Sequence, residues 1–380
     1  MKNALLIAAL TMVSASAFAS KARLGALGGS KTVASDIQQV FEEPSRMWDL
    51  ADQATFEFGG TGTAYSLAGT ATNSTPNAEG GFIRSHENTK WGAYVGHQSP
   101  SLVLLLSGAG GLGTAMSNAS LLRTENPLNL WYGTKVGDLN YGFNLYYASS
   151  ERKTGANMNK KAAYGLSGGV QGDKWMANLV LGLGAKIENN TAGAHEDEEF
   201  KSDSSMKLLG EYAINDVLLG YAGFTMFGGT RQDGAAGAGK EAAKFDVQQI
   251  SLGVESKIKS DTAHFFYGAR IENATAKNKT DSVPVQKIEM LTMPVYFGLE
   301  ADATSWLVLR TTLTQNVLLS STKVTTAASS DADNVDSTVA ASGLGFKFGK
   351  LMMDASMTAG TTGTLSSVDF GGNASLTYLF

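Results

Sequence analysis

Charged residues recur on one side of alternating segments along this chain. Taking every second residue places Lys135, Lys186, Lys207, Lys257, Arg270, Arg310 and Lys347 on the same faces as Glu188, Glu211, Glu255, Glu272, Glu300 and Asp354. Groups of this kind, gathered on one face, handle ions and polar solutes. Seven bases against six acids give no strong preference for either sign of ion. Bases facing acids across a lumen can set a transverse field at a constriction. The plainer reading is that they form paired ladders bracing a wall. The expected pore-lining set is Lys135, Lys186, Glu211, Glu255, Arg270, Arg310, Lys347 and Asp354.

Other chemistry is poorly supplied. The chain has no cysteine, which removes disulfides, thiolate zinc sites and thiol nucleophiles. Its four histidines, His86, His97, His195 and His264, sit in no recognisable nucleophile motif. His195 opens the run His195-Glu196-Asp197-Glu198-Glu199, which reads as a solvated acidic loop or a binder of divalent cations. Gly108-Ala109-Gly110-Gly111-Leu112-Gly113 matches a dinucleotide fingerprint, but no βαβ repeat follows it. A formal net charge of −5 argues against a nucleic-acid partner. The sequence therefore points to no enzyme, cofactor or metal site.

The elements that carry these residues read as strands. In 262–272, Phe265, Tyr267, Ala269 and Ile271 oppose His264, Gly268, Arg270 and Glu272. In 139–147, Leu139, Tyr141, Phe143, Leu145 and Tyr147 oppose Asn140, Gly142, Asn144 and Tyr146. In 175–187, Trp175, Ala177, Leu179, Leu181, Leu183, Ala185 and Ile187 oppose Asn178, Gly182, Gly184 and Lys186. Such period-two patterns recur over 53–67, 80–87, 90–97, 128–137, 139–150, 160–171, 174–187, 204–214, 217–228, 244–258, 262–274, 286–301, 304–319, 337–349, 350–359 and 369–380. Only strand 217–227 is apolar on both faces, so the lumen beside it is expected to be covered by a plug or a loop.

Short connections such as Gly137-Asp138, Gly172-Asp173 and Asn215-Asp216 alternate with long ones such as 98–126 and 188–203. This order predicts an all-β fold, a transmembrane antiparallel up-and-down β-barrel of 16 strands, or 14 if 80–97 is not a hairpin. A charge against lipid costs about 2–4 kcal/mol at mid-depth, so the polar face must look inward, around water. Trp91, Trp175 and Trp306 each follow a short turn, where an aromatic girdle would sit. The apolar loop 98–126 is expected to fold into the mouth or onto a neighbouring subunit.

The two ends carry the family resemblances. Met1–Ala19 reads as a signal peptide, with Lys2, an apolar run and Ala17-Phe18-Ala19. The last strand closes on Tyr378 and Phe380 and resembles the C-terminal assembly signal of bacterial outer-membrane barrels. Residues 20–52 lack alternation and read as a periplasmic or plug segment before the barrel 53–380. Ser35 or Asp36 could cap a short helical turn there, and Pro44 suits the first turn of another. The segment resembles the N-terminal element of FadL-type proteins, with Asp36, Phe41 and Pro44 at the matching plug positions and Glu43 where that family has Asn. The chain as a whole resembles the porin-like major outer-membrane proteins of Bdellovibrio-type bacteria.

These resemblances imply a Gram-negative outer membrane, reached through the general secretory route. They imply outer-membrane lipids, lipopolysaccharide and the barrel-assembly machinery as partners, with a homo-oligomer as one arrangement. The leading expectation is a porin-like channel for small hydrophilic solutes. The alternatives are a FadL-like transporter of hydrophobic molecules and a structural wall protein.

Overall fold

The computed structural model describes residues 20–33, 35–60, 76–97, 127–155, 157–191, 195–203, 205–233, 241–280, 283–325, 330–333, 337–362 and 364–380. The signal-like residues 1–19 and the loop 98–126, with its glycine motif, lie outside them. The described strands from Gln53 onward belong to one antiparallel sheet that closes on itself. Its strands are β1 (Gln53–Gly60), β2 (Pro76–His86), β3 (Thr89–Val95), β4 (Pro127–Val136), β5 (Leu139–Thr154), β6 (Asn157–Gln171), β7 (Trp175–Thr191), β8 (His195–Ser202), β9 (Ser205–Ala213), β10 (Leu218–Asp233), β11 (Glu241–Lys259), β12 (Ala263–Thr280), β13 (Val283–Asp302), β14 (Leu307–Thr325), β15 (Ser330–Asp333), β16 (Ser337–Phe348), β17 (Leu351–Thr362) and β18 (Thr364–Leu379). β8 and β9 both lie between β7 and β10 and are two halves of one strand. β15 and β16 both pair with β14 and are likewise halves of one. The wall thus has sixteen strands, including the hairpin within 80–97.

Closure is made by β1 against β18, in register from Gln53↔Leu379 to Gly59↔Asn373. It leaves no bare edge for another chain to add to. The tight turns hold the strands in step, and Gly137 and Gly349 supply the positive φ two of them need (+58° and +62°). Strands run past their sequence-predicted ends on the long-loop side, β12 to Thr280 and β14 to Thr325. Beyond the bilayer both faces meet water, so alternation fades while the ladder continues. The exterior carries the apolar set: Phe56, Phe58, Tyr132, Phe143, Leu145, Tyr147, Leu252 and Val254 are 47–61% exposed.

Between β6 and β7 the register shifts at Tyr164/Gly165, where Gly182 and Gly184 are the partners and Leu183 is the extra residue. Between β13 and β14 it shifts at Thr292/Pro294, where proline has no N–H to give.

Residues 20–52 enter the lumen. Lys21–Ala26 form one short helix whose N-cap, Ser20, accepts from the Arg23 amide. A 3-10 turn, Ile37–Gln39, is closed by a capping box between Asp36 and Gln39. A second, Pro44–Asp49, has its proline in the first turn. Ile37, Val40, Phe41, Met47 and Leu50 pack on Ile83, Tyr94 and Trp131 of the wall. Leu27 packs on Phe266 and Tyr296 across the barrel. Burying such side chains is worth about 1.5–3 kcal/mol each. Gly142 lets the segment come close, since a Cβ there would run into the Pro44 carbonyl.

Candidate functional site

The lumen is the site, and its lower half is laced to residues 20–52. Arg23 grips Glu300 with two bonds, Nε to Oε2 at 2.8 Å and Nη2 to Oε1 at 2.9 Å. Arg310 bonds the same carboxylate at 2.6 Å and Asp354 at 2.6 Å. Ser20 Oγ donates to Asp354 at 3.0 Å, and Thr312 donates to the Ala26 carbonyl at 2.9 Å. Glu255 accepts from Ser30 Oγ at 2.6 Å, the amides of Lys31 and Thr32 at 3.0 and 2.8 Å, and Tyr296 at 2.9 Å. Glu211 binds Arg46 and lies 3.2 Å from Lys31.

The opposite wall holds residues 36–52 by other means. Asn144 and Ser167 donate to the Phe41 carbonyl at 3.3 and 3.0 Å. Trp48 donates to the Tyr141 carbonyl at 2.9 Å. Phe41 stacks flat on His97. Gln38 bonds Glu57 and Glu79, and Tyr94 donates to Glu57 at 2.6 Å. The segment is thus a strap tied to both sides.

Burial sets the charge states inside the strap. Burial pushes the Asp36 carboxyl up to about 6, against the pull of the Gln38 amide and Arg23. Burial also opposes ionisation of Glu43, but Lys31 and Arg46 beside it win and hold it down to about 2. Among the described residues no group of three His, Asp or Glu is placed to hold a metal ion.

Four levels follow one another up the barrel. At the short-turn end a cavity of about 450 Å³ is lined by Arg23, Lys259, His264, Glu300, Asp302 and Lys347. The strap lies above it. A cavity of about 240 Å³ then separates the strap from β9–β12, lined in part by Lys31, Glu42, Glu43, Lys207, Glu211 and Arg270. Farther toward the long loops the inward residues become apolar. Ile187 faces Phe200, Phe227 faces Val247, and Ala276 faces both Val247 and Ile288 across their ladders. All are buried, and Phe245 stacks on Phe200 at 5.7 Å and meets Phe227 at a tilt at 5.5 Å.

Several expected pore-lining residues have this other role. Glu211, Glu255, Arg310 and Asp354 face inward but hold the strap or its anchors. Arg270 faces the middle cavity, 2.8 Å from Glu272. Lys347 sits at the short-turn mouth, 2.6 Å from Asp302. Lys135 lies at that end too, exposed, its amine 4.7 Å over the Trp48 ring.

Lys186 is a correction. The extra residue at Leu183 turns the rest of β7 over, so Ala185 and Ile187 point in and Lys186 points out. There it pairs with Glu188, also expected inside, and with Glu199 at 3.0 Å. Of the plug positions, Asp36 caps its turn, Phe41 packs on the wall and Pro44 starts the second turn. Tyr378 and Phe380 face outward, with ring centroids 5.8 Å apart, and Arg84 lies 4.5 Å over Phe380.

Sequence reasoning missed Arg23, Glu57, Tyr94 and the aromatic band. The one available signal for the band was strand 217–227, apolar on both faces.

A closed sheet with an apolar exterior and a filled interior is a transmembrane β-barrel. No family model matches the sequence, and no curated protein does. Among solved structures the chain is similar to a Pseudomonas aeruginosa FadL homologue, at 12% identity and TM-score 0.46, covering 95% of this chain and 98% of that one. It is similar to the Pseudomonas putida toluene transporter TodX at 9% identity and TM-score 0.40, covering 95% and 97%. It is also similar to a bacterial polysaccharide outer membrane secretin at 9% identity and TM-score 0.45, covering 87% and 98%.

Proposed function

We propose that this chain is an outer-membrane channel for small apolar molecules, with residues 20–52 as the closure of its lumen. The observation that carries this is the inward apolar band of Ile187, Phe200, Phe227, Phe245, Val247 and Ile288. A water-filled pore for hydrophilic solutes has no use for a packed level of aromatic and aliphatic side chains pointing toward its axis. A ligand desolvated on entry gains from them. The strap supports the same reading: it fills the lumen that a freely diffusing solute would need. Of the starting expectations, uptake of hydrophobic molecules therefore ranks above the hydrophilic porin.

The same proposal keeps residues 1–19 as an export signal, Tyr378 and Phe380 as the assembly signal, and outer-membrane lipids as the surroundings.

The test is planar-bilayer conductance of refolded protein, with and without residues 20–52. The intact chain should give no steady ohmic steps, and the truncated one should conduct. Large steady steps from the intact chain would return the hydrophilic porin to first place.

A further inference from the structure

The middle cavity says more about what the channel carries; this inference rests on the apolar-channel reading. Its bases are Lys31, Lys207 and Arg270, and its acids are Glu42, Glu43, Glu211 and Glu272. Each base already has an acid: Lys31 has Glu43 and Glu211, Lys207 has Glu42, and Arg270 has Glu272. Arg46 also pairs with Glu43 and Glu211, so the charges balance and an incoming carboxylate would find no base to spare. The cavity nevertheless offers one polar contact. Glu42 spends Oε2 on Lys207, while its buried Oε1 has no hydrogen-bond partner among the described residues. A buried acceptor left without a donor is unfavourable, so a donor arriving there is bound. Glu42 borders both this cavity and a smaller one of about 40 Å³ beside Phe41 and His97.

The cavity also adjoins the apolar band. Thr225 lines it, and Phe227 is the next inward residue on β10; Gln249 lines it, and Val247 is the next on β11. That step is about 7 Å along a strand. We propose that the ligand is an uncharged apolar molecule bearing a hydroxyl, an alcohol or phenol, which donates to Glu42 Oε1 while its body lies in the cavity on the side that leads to Phe227 and Val247. An ammonium ion would satisfy the same oxygen, but stripping its hydration inside the closed lumen costs far more than stripping a hydroxyl's.

The experiment is equilibrium dialysis of radiolabelled 1-octanol, octane, octanoate and octylammonium at pH 8 against the full protein in nanodiscs, with empty nanodiscs as reference. Octanol should be retained about tenfold or more over octanoate, and more than octane. Glu42→Gln frees Lys207, so octanoate retention should rise about tenfold with octane unchanged. Glu272→Gln, beside Arg270, gives a second reading, and circular dichroism of the barrel checks that both variants fold. Octanoate or octylammonium matching octanol on the native protein would overturn the inference, as would an unchanged octanol-to-octanoate ratio in both folded variants. Retention of octane with no advantage for octanol sinks this inference alone. Retention of neither sinks the apolar-channel reading with it.

Discussion

Phe41 and His97 lie face to face, ring centroids 3.4 Å apart and planes within 1° of parallel. Phe41 also meets Tyr94 edge-on at 5.0 Å and Trp131 at 5.1 Å. One strap residue thus fills a socket built from three wall aromatics. Phe41→Ala should weaken strap docking by about 3–5 kcal/mol. The sixteen-strand ladder does not depend on it, so thermal unfolding of the barrel should move little. Limited proteolysis checks this: cleavage within 36–52 should speed up while the barrel stays resistant. Equal resistance of both would remove Phe41 from the closure.

Among the described residues Arg310 and Asp354 are the most deeply buried ion pair, their side chains 2% and 1% exposed. Arg310→Met leaves Asp354 buried without that partner and should cost about 3–5 kcal/mol. Arg310→Met with Asp354→Leu removes both charges and should recover much of that loss, Glu300 keeping Arg23. The midpoint of urea unfolding reads the difference. A double variant no better than the single one would contradict it.

Strap docking should depend on pH in two opposed ways. Asp36 has its folded pKa raised by burial to about 6 from 3.8. Its contribution is full below about pH 4 and is lost as pH rises through about 6, by up to about 3 kcal/mol. Glu43 is held down to about 2 from 4.5, because Lys31 and Arg46 outweigh its burial. Its contribution is present above about 4.5 and is lost as pH falls toward 2. Protection of 20–52 from protease should therefore peak near pH 4 to 4.5 and fall from there to about pH 6. Asp36→Asn should flatten the alkaline side only, since the amide oxygen can still cap Gln38.

The chain has no native cysteine, so single cysteines report position cleanly. In intact cells Lys186→Cys should react with a membrane-impermeant thiol reagent, because the β7 bulge places it outside on the long-loop side. Leu252→Cys, on the lipid-facing wall, should not react. Silence from Lys186→Cys would mean that the bulge does not turn the strand over.

The barrel was legible because its rules are local. Alternation in 262–272 and glycine or aspartate at the tight turns define strands and hairpins without knowledge of their neighbours. Lys186 was misplaced for the complementary reason. One added residue between Gly182 and Gly184 reverses every later face, and glycines on both sides of Leu183 leave no pattern to mark the slip. The anchors were hidden by distance: Arg23 and Glu300 are far apart in sequence, and nothing local pairs them. The inward charges were found, yet alternation cannot tell a side chain facing water from one facing another part of the same chain.

That distance has a further consequence. The first half of the strap depends on Glu255, Glu300, Thr312 and Asp354, all carried by strands late in the chain, and Ser20 lies 334 residues from its partner Asp354. When the early strands form, those residues have nothing to hold. Contacts of such long range come late in folding, after the loop between them has been closed. The first half of the strap is therefore seated only once the final strands arrive, whereas residues 36–52 can dock as soon as β1–β6 are in place.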